Sequence, residues 1–202
     1  MSSDKNYDPY YDIPKFSNSF LSNVRFMVDN PGTNPPPLPA AALVFGSEVH
    51  YYVLEPHKFN GDARHKKCGD LIKSSPVIQA MLKFGEIEKE LHFNCLGLKC
   101  KGKMDLILGN TICDLKTTSC TNYDQFMETV FKYGYNRQAA FYMDGSGADK
   151  FIFCAVTKGN DPKLFWHSFD KDDPEIEAGR KEYLELLELA KAHKISPKGY
   201  KW

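Results

Sequence analysis

Apolar residues recur along this chain with two different periods, and the change between them divides it into blocks. Over 17–28 (SNSFLSNVRFMV) they fall at helical spacing behind a serine suited to capping, which predicts a short helix. Residues 40–56 (AAALVFGSEVHYYVLEP) carry the same spacing and stop at Pro56, whose ring cannot continue a helix. Between them the Pro-rich 29–39 reads as a stiff, extended connection. Residues 61–73 form a polar, basic segment, and Ser75-Pro76 opens another helix. The period then drops to two. Residues 86–94, 98–108 and 111–118 alternate as strands, with Gly109-Asn110 as the turn between the last two. Two helices follow at 122–134 and 135–145, broken near Gly134, then strands at 150–158 and 163–169 and an amphipathic helix at 173–194. This order predicts a layered α/β domain on a mixed sheet.

Three charged residues interrupt the strand pattern. Asp105 closes the second strand, while Asp114 and Lys116 share one face of the third, with Leu115 on the other. Carboxylates are poor strand formers, and burying them requires compensation or a use. The short hairpin brings Asp105 beside Asp114, and two carboxylates so close repel unless a cation lies between them. An oxygen-rich site with few protein ligands suits Mg²⁺. A lysine beside it can orient a water or offset charge developing on a phosphate. That is the equipment of metal-assisted phosphodiester hydrolysis. An isolated Asp-x-Lys on a strand is also commonly a solvated cross-strand ion pair, so the spacing alone leaves both readings open.

Composition narrows the classes. At 202 residues the chain suffices for one domain with a sizeable core. Its 26 basic and 26 acidic residues cancel, which argues against a globally basic nucleic-acid binder and leaves local patches open. The six cysteines include no CxxC, so zinc and redox signatures are absent, and their grouping is too loose for an iron–sulfur cluster. Cys113 and Cys154, inside apolar strands, read as buried reduced thiols. No apolar run approaches the roughly 18 residues of a membrane helix, and the polar, aromatic residues 1–15 are unlike a signal peptide. The expectation is a cytoplasmic protein without membrane association.

Several motifs stand in a telling order. Asp105, eight residues, then Asp114-Leu115-Lys116 and Thr117-Thr118 resemble the signature of the PD-(D/E)XK nuclease superfamily. YNRQAAFY at 135–142 is similar to the Gln-containing helix motif of its RecB-like branch, with Tyr135, Gln138 and Tyr142. FGSEVHYYVLEPHKF at 45–59 resembles the helix in which that branch carries a metal-binding histidine, here His50, followed by the Leu-Glu-Pro turn of RecE-type exonucleases. IPKFSNSFLSN at 13–23 resembles the opening of the RecE (exodeoxyribonuclease VIII) nuclease domain, so the likeness spans about residues 10–157. Met104 stands where the superfamily name has proline, and Asp114 takes the aspartate option. Neither departure removes a required chemical group.

The resemblance implies an α/β fold with a restriction-endonuclease-like core, a central mixed β-sheet flanked by helices. One nuclease domain would span 1–202, with a helical part at about 1–85, the catalytic sheet at about 86–170 and a C-terminal helix at about 174–193. It implies His50, Asp105 and Asp114 as metal ligands together with the Leu115 carbonyl. Lys116 would position or activate the attacking water, and Glu90 would be a further acid for a second metal or a metal-bound water. Read without it, His50 is a core histidine and Glu90 a solvated strand acid. Gln138 and Tyr142, four apart, share a helical face. Gln138 there can bond Lys116 or DNA, while Tyr142 either packs or meets DNA. Thr117 and Thr118 suit a phosphate oxygen or simply enter a helix. Lys99, Lys101 and Lys103 alternate onto one face as a positive stripe for DNA, or as an ordinary solvated face. Arg137 meets a phosphate or is a surface arginine, and Arg25 is a candidate for gripping a terminal phosphate.

For activity, the resemblance implies a Mg²⁺-dependent exonuclease, with Mn²⁺ as substitute, acting on ends of linear duplex DNA. Digestion would run 5′-to-3′ in phage or bacterial recombination. The partners implied are DNA, a single-strand annealing protein and further copies of the chain in a ring. Endonucleases and single-strand nucleases share the fold, and a non-catalytic DNA-binding domain is the reading from another class. The intact Asp105, Asp114 and Lys116 set weighs against that last one.

Overall fold

A computed structural model describes residues 8–33, 35–36 and 40–201. The predictions for residues 1–7 and for part of the Pro-rich stretch (34 and 37–39) fall outside the described residues. A 3-10 turn, Pro9–Asp12, leads to two short helices, α1 (Asn18–Leu21) and α2 (Val24–Asp29), where the spacing predicts one. Ser17 caps α1 by accepting from the Phe20 amide at 3.2 Å, and the polar pair Ser22-Asn23 separates the helices. Helix α3 (Ala40–Leu54) ends one residue before a turn at Pro56–Lys58. The basic segment at 61–73 is itself helical, α4 (Ala63–Lys73). Its Asp62 accepts from the Arg64 and His65 amides while His65 Nδ1 accepts from the Asp62 amide, a reciprocal cap in which histidine takes the usual place of Glu. Then come α5 (Pro76–Phe84), β1 (Glu86–Cys95), β2 (Leu98–Leu108), β3 (Thr111–Thr118), α6 (Tyr123–Lys132), α7 (Tyr135–Ser146), β4 (Lys150–Thr157), β5 (Leu164–Asp170) and α8 (Pro174–Ala192).

The five strands lie in chain order across one mixed sheet, β1-β2-β3-β4-β5. All neighbours are antiparallel except β3 and β4, which run parallel because the α6–α7 crossover joins them. Helices cover both faces. Against α3, α4 and α5 the sheet presents Leu106, Cys113, Leu115 and Val156, which pack with Val49, Ile72 and Ile78. Against α6, α7 and α8 it presents Phe151 and Phe153, which pack with Phe126, Ala139, Phe141 and Leu187. Helix α7 lies tight on α8, since a Cβ on Gly179 would sit 2.6 Å from the Asn136 carbonyl oxygen. The mixed sheet between helical layers is the restriction-endonuclease-like core. No helix among the described residues is long and apolar enough to cross a membrane.

Candidate active site

The site forms where β2 and β3 part. Their ladder holds only Leu108↔Thr111, Ile107↔Ile112 and Leu106↔Cys113, whereas β3 stays paired with β4 along its whole length. The next position of the β2–β3 register would set Asp105 against Asp114. Instead the strands open there, and Asp105 Oδ2 accepts from the Leu115 amide at 2.7 Å. Asp105 thus lies inside β2, which continues to Leu108, and does not close the strand as its pattern predicts. Further along, the β2 edge that β3 has left is taken by Phe16, whose amide donates to the Lys99 carbonyl while its carbonyl accepts from the Lys101 amide.

Charged side chains converge on this opening. Asp114 is almost fully buried; its Oδ1 accepts from Gln138 Nε2 at 2.7 Å, and its Oδ2 lies 2.6 Å from Lys116 Nζ. That Oδ2 is thus held in an ion pair with the Lys116 ammonium. Lys116 Nζ donates to Gln138 Oε1 at 3.0 Å and sits 4.8 Å above the Tyr135 ring centre. Gln138 therefore spans both partners, one amide group holding the acid and the lysine in a fixed relation. From α3, His50 Nε2 donates to the Leu115 carbonyl at 2.8 Å, and its Nδ1 lies 3.6 Å from Asp105 Oδ2.

A further acid arrives from β1, and it is Glu88. Ligand atoms of His50, Glu88 and Asp105 all lie within 4.8 Å of one another. Glu88 stands between the pairs Ile87↔Leu106 and Lys89↔Met104, opposite Asp105, with a left-handed φ of 52°. That conformation is costly for a residue with a side chain, and the surrounding fold holds it there. Glu90, the acid singled out by resemblance, is instead exposed beside His92 at 3.1 Å and does not join the cluster. A carboxylate two residues from the expected one was the available signal; alternation puts both on one face, and only the register that sets Glu88 opposite Asp105 separates them.

The electrostatics of the site suit a cation. Burial raises the Asp105 carboxyl to a pKa of about 7; His50 opposes the shift, and Asp114 and Glu88 add to it. Burial also works against the charge on Lys116, but Asp114, Tyr135 and Asp105 outweigh it and hold the ammonium above its usual range. The surrounding cleft, of about 380 Å³, is lined by five carboxylates (Asp8, Glu55, Glu88, Asp105, Asp114) against three lysines (Lys58, Lys103, Lys116). The excess of acids repels a phosphate unless a cation offsets it. The donors are carboxylate oxygens with one carbonyl and one imidazole, an oxygen-rich set that suits a divalent cation such as Mg²⁺ or Mn²⁺.

Other expected contacts fare unevenly. Thr117 and Tyr142 line the cleft, the Tyr142 ring lying over Gly102, where a Cβ would be 2.9 Å from it. Thr118 Oγ1 accepts from the Cys120 amide and serves the turn out of β3. The lysine stripe is not a free DNA face. Lys101 is buried, donating to the Tyr10 and Tyr11 carbonyls, and Lys103 is paired with Asp8 and Glu88. Arg137 is buried too, bonded to Asn18, Ser22 and Glu182, and meets no ligand surface. Arg25 pairs with Glu185 on α8, outside the cleft.

Fold and site together define a nuclease of the PD-(D/E)XK class. The chain belongs to the family described as a PDDEXK-like domain of unknown function (DUF3799), which matches residues 62–197, more than half of its length. The fold is similar to that of a candidate exonuclease from Eubacterium rectale, with a TM-score of 0.70 and 16% identity over 98% of this chain and 90% of that one. It is also similar to the Laribacter hongkongensis alkaline exonuclease LHK-Exo bound to dAMP, with a TM-score of 0.50 and 18% identity over 89% of each chain. No curated protein sequence matches it.

Proposed function

We propose that this nuclease is a Mg²⁺-dependent exonuclease that hydrolyses phosphodiester bonds of linear duplex DNA from its ends. One observation carries the metal dependence: three carboxylates, a histidine and a backbone carbonyl face a cleft whose acids outnumber its lysines, and ligand atoms of His50, Glu88 and Asp105 converge to within 4.8 Å of one another. His50, Asp105, Asp114, Glu88 and the Leu115 carbonyl would hold the ion. Bound there, it would draw in the phosphate and stabilise charge on it. The chain's own groups do the rest. Lys116, fixed by Gln138 and Asp114, presents an ammonium that can orient the attacking water or meet the charge developing on phosphate oxygen. Gln138 keeps that ammonium from collapsing onto the acid alone. Thr117 offers a hydroxyl at the same wall.

Exonuclease neighbours, one holding dAMP, support end-directed action on DNA. The 5′-to-3′ polarity, the role in phage or bacterial recombination, the annealing partner and the ring remain parts of this proposal that rest on the RecE resemblance. The test compares linear 5′-phosphorylated duplex, closed circular duplex and single strands with Mg²⁺, with EDTA and Lys116→Ala alongside. Shortening of linear duplex alone, stopped by both controls, is expected, and end-labelling then reads the polarity. Cutting of the closed circle would make it an endonuclease. No cleavage with Mg²⁺ or Mn²⁺ would overturn the reading.

A further inference from the structure

The segment 8–16 runs as a strap along the β2 edge that β3 vacates, and it carries Asp8 to the rim of the cleft. There Lys103 Nζ lies 2.5 Å from Asp8 Oδ2 and 3.0 Å from Glu88 Oε2, all three side chains being largely buried. The strap is anchored at two points after Asp8: Lys101 Nζ donates to the Tyr10 and Tyr11 carbonyls at 2.6 and 3.3 Å, and Phe16 bonds β2. Glu88 is the carboxylate that converges with His50 and Asp105.

One lysine thus holds two acids, and one of those acids faces the metal site. A cation arriving at His50 and Asp105 competes with Lys103 for Glu88. Were Glu88 its only partner, its release would leave a largely buried ammonium without a counter-charge, which is strongly unfavourable. Asp8 removes that penalty, because Lys103 remains paired whichever way Glu88 turns. We propose that Asp8 and Lys103 form a counter-ion hold that aims Glu88 at the metal site and releases it to a divalent cation, making the N-terminal strap a positioning element of the active site. The proposal rests on the metal-dependent reading above and is tested apart from cleavage.

The readout is Mn²⁺ binding to the full chain by calorimetry, without DNA. Asp8→Asn leaves Lys103 clamped on Glu88 and is expected to weaken Mn²⁺ on the order of 10-fold, with Asp8→Glu recovering most of the loss. In a Lys103→Met background the same Asp8→Asn change should shift affinity by less than about twofold, since Asp8 acts only through Lys103. An equal weakening in both backgrounds would make Asp8 a distant charge and overturn the proposal, as would no weakening in either. Should Lys103→Met not fold, the single variant is compared at about 50 and 500 mM salt: a partly buried pair keeps its effect, whereas a through-space charge loses it to screening, which would also overturn the proposal. Failure of the nuclease reading shows separately, as Mn²⁺ binding with no DNA cleaved.

Discussion

Arg137 and Gln138 are adjacent on α7, yet they belong to two polar networks of opposite character. On one side, each arm of the Arg137 guanidinium has a partner: Nε on Asn18, Nη1 on Glu182 and Nη2 on Ser22, at 2.6–2.9 Å. That network ties α1 and α8 to α7 and gives each guanidinium nitrogen a partner. On the other side, Gln138 spans Asp114 and Lys116, but Glu88, Asp105 and Asp114 crowd one opening. Both networks are buried. A closed one stabilises the fold; an open one costs stability until something binds. The comparison separates structural from functional charge without reference to sequence motifs.

Substitutions should therefore have crossed effects. Asp105→Asn keeps an acceptor for the Leu115 amide but removes a charge from the crowded opening. Its cleavage rate should fall on the order of 10³-fold while the metal-free fold becomes no less stable at neutral pH. Arg137→Met should do the reverse, costing about 2–3 kcal/mol in urea unfolding while the folded fraction cleaves at close to the normal rate. Single-turnover cleavage and denaturant curves on both variants check this pair of outcomes. A large rate loss in folded Arg137→Met would place its guanidinium in the catalytic machinery after all.

The pH dependence is next in size. Asp105 has a folded pKa of about 7, raised from an ordinary 3.8. Between those values the folded state binds the proton and the unfolded state does not, so stability is lost as pH rises through the window. The metal-free protein should lose roughly 2–4 kcal/mol between about pH 4 and 7 from this group. Mg²⁺ should flatten the slope by favouring the ionised carboxylate, and Asp105→Asn should abolish it. Thermal melts at stepped pH, with and without Mg²⁺, measure all three. A slope that persists in Asp105→Asn would assign it to another group.

How much of this was legible in the chain depends on how local each feature is. The strand order, the helix breaks at Pro56 and Gly134, and the His50, Asp105, Asp114, Lys116 and Gln138 set follow from short-range spacing and ordered motifs, and the structure brings those five together. Glu88 was missed because the resemblance pointed to Glu90, two residues on along the same strand face, and only the pairing register, which sets Glu88 opposite Asp105, tells them apart. Lys101 and Lys103 were misjudged because the strap that covers them comes from the other end of the sequence, over 90 residues away. Arg137 stands inside a motif read as functional, and nothing in its neighbours reveals that Asn18 and Glu182 will close around it. Long-range contacts were legible where an ordered motif carried both partners, as for His50 and Leu115, and not where the partner lay outside the motifs, as for Asp8, Asn18 and Glu182.

The smallest expected effect probes how far the open network extends. Arg25 on α2 lies 3.7 Å from Glu185, both side chains more than half exposed, and it does not line the cleft. An exposed pair of this kind contributes less than about 0.5 kcal/mol, so Arg25→Ala should leave stability nearly unchanged. If function is confined to the opening between β2 and β3, digestion of 5′-phosphorylated duplex should also be unchanged. A rise in KM at constant kcat, absent for duplex lacking the 5′-phosphate, would mean that α2 reaches the DNA end. The closed side of α7 would then border a second part of the substrate site, and burial of its network would be protection for a surface that DNA crosses.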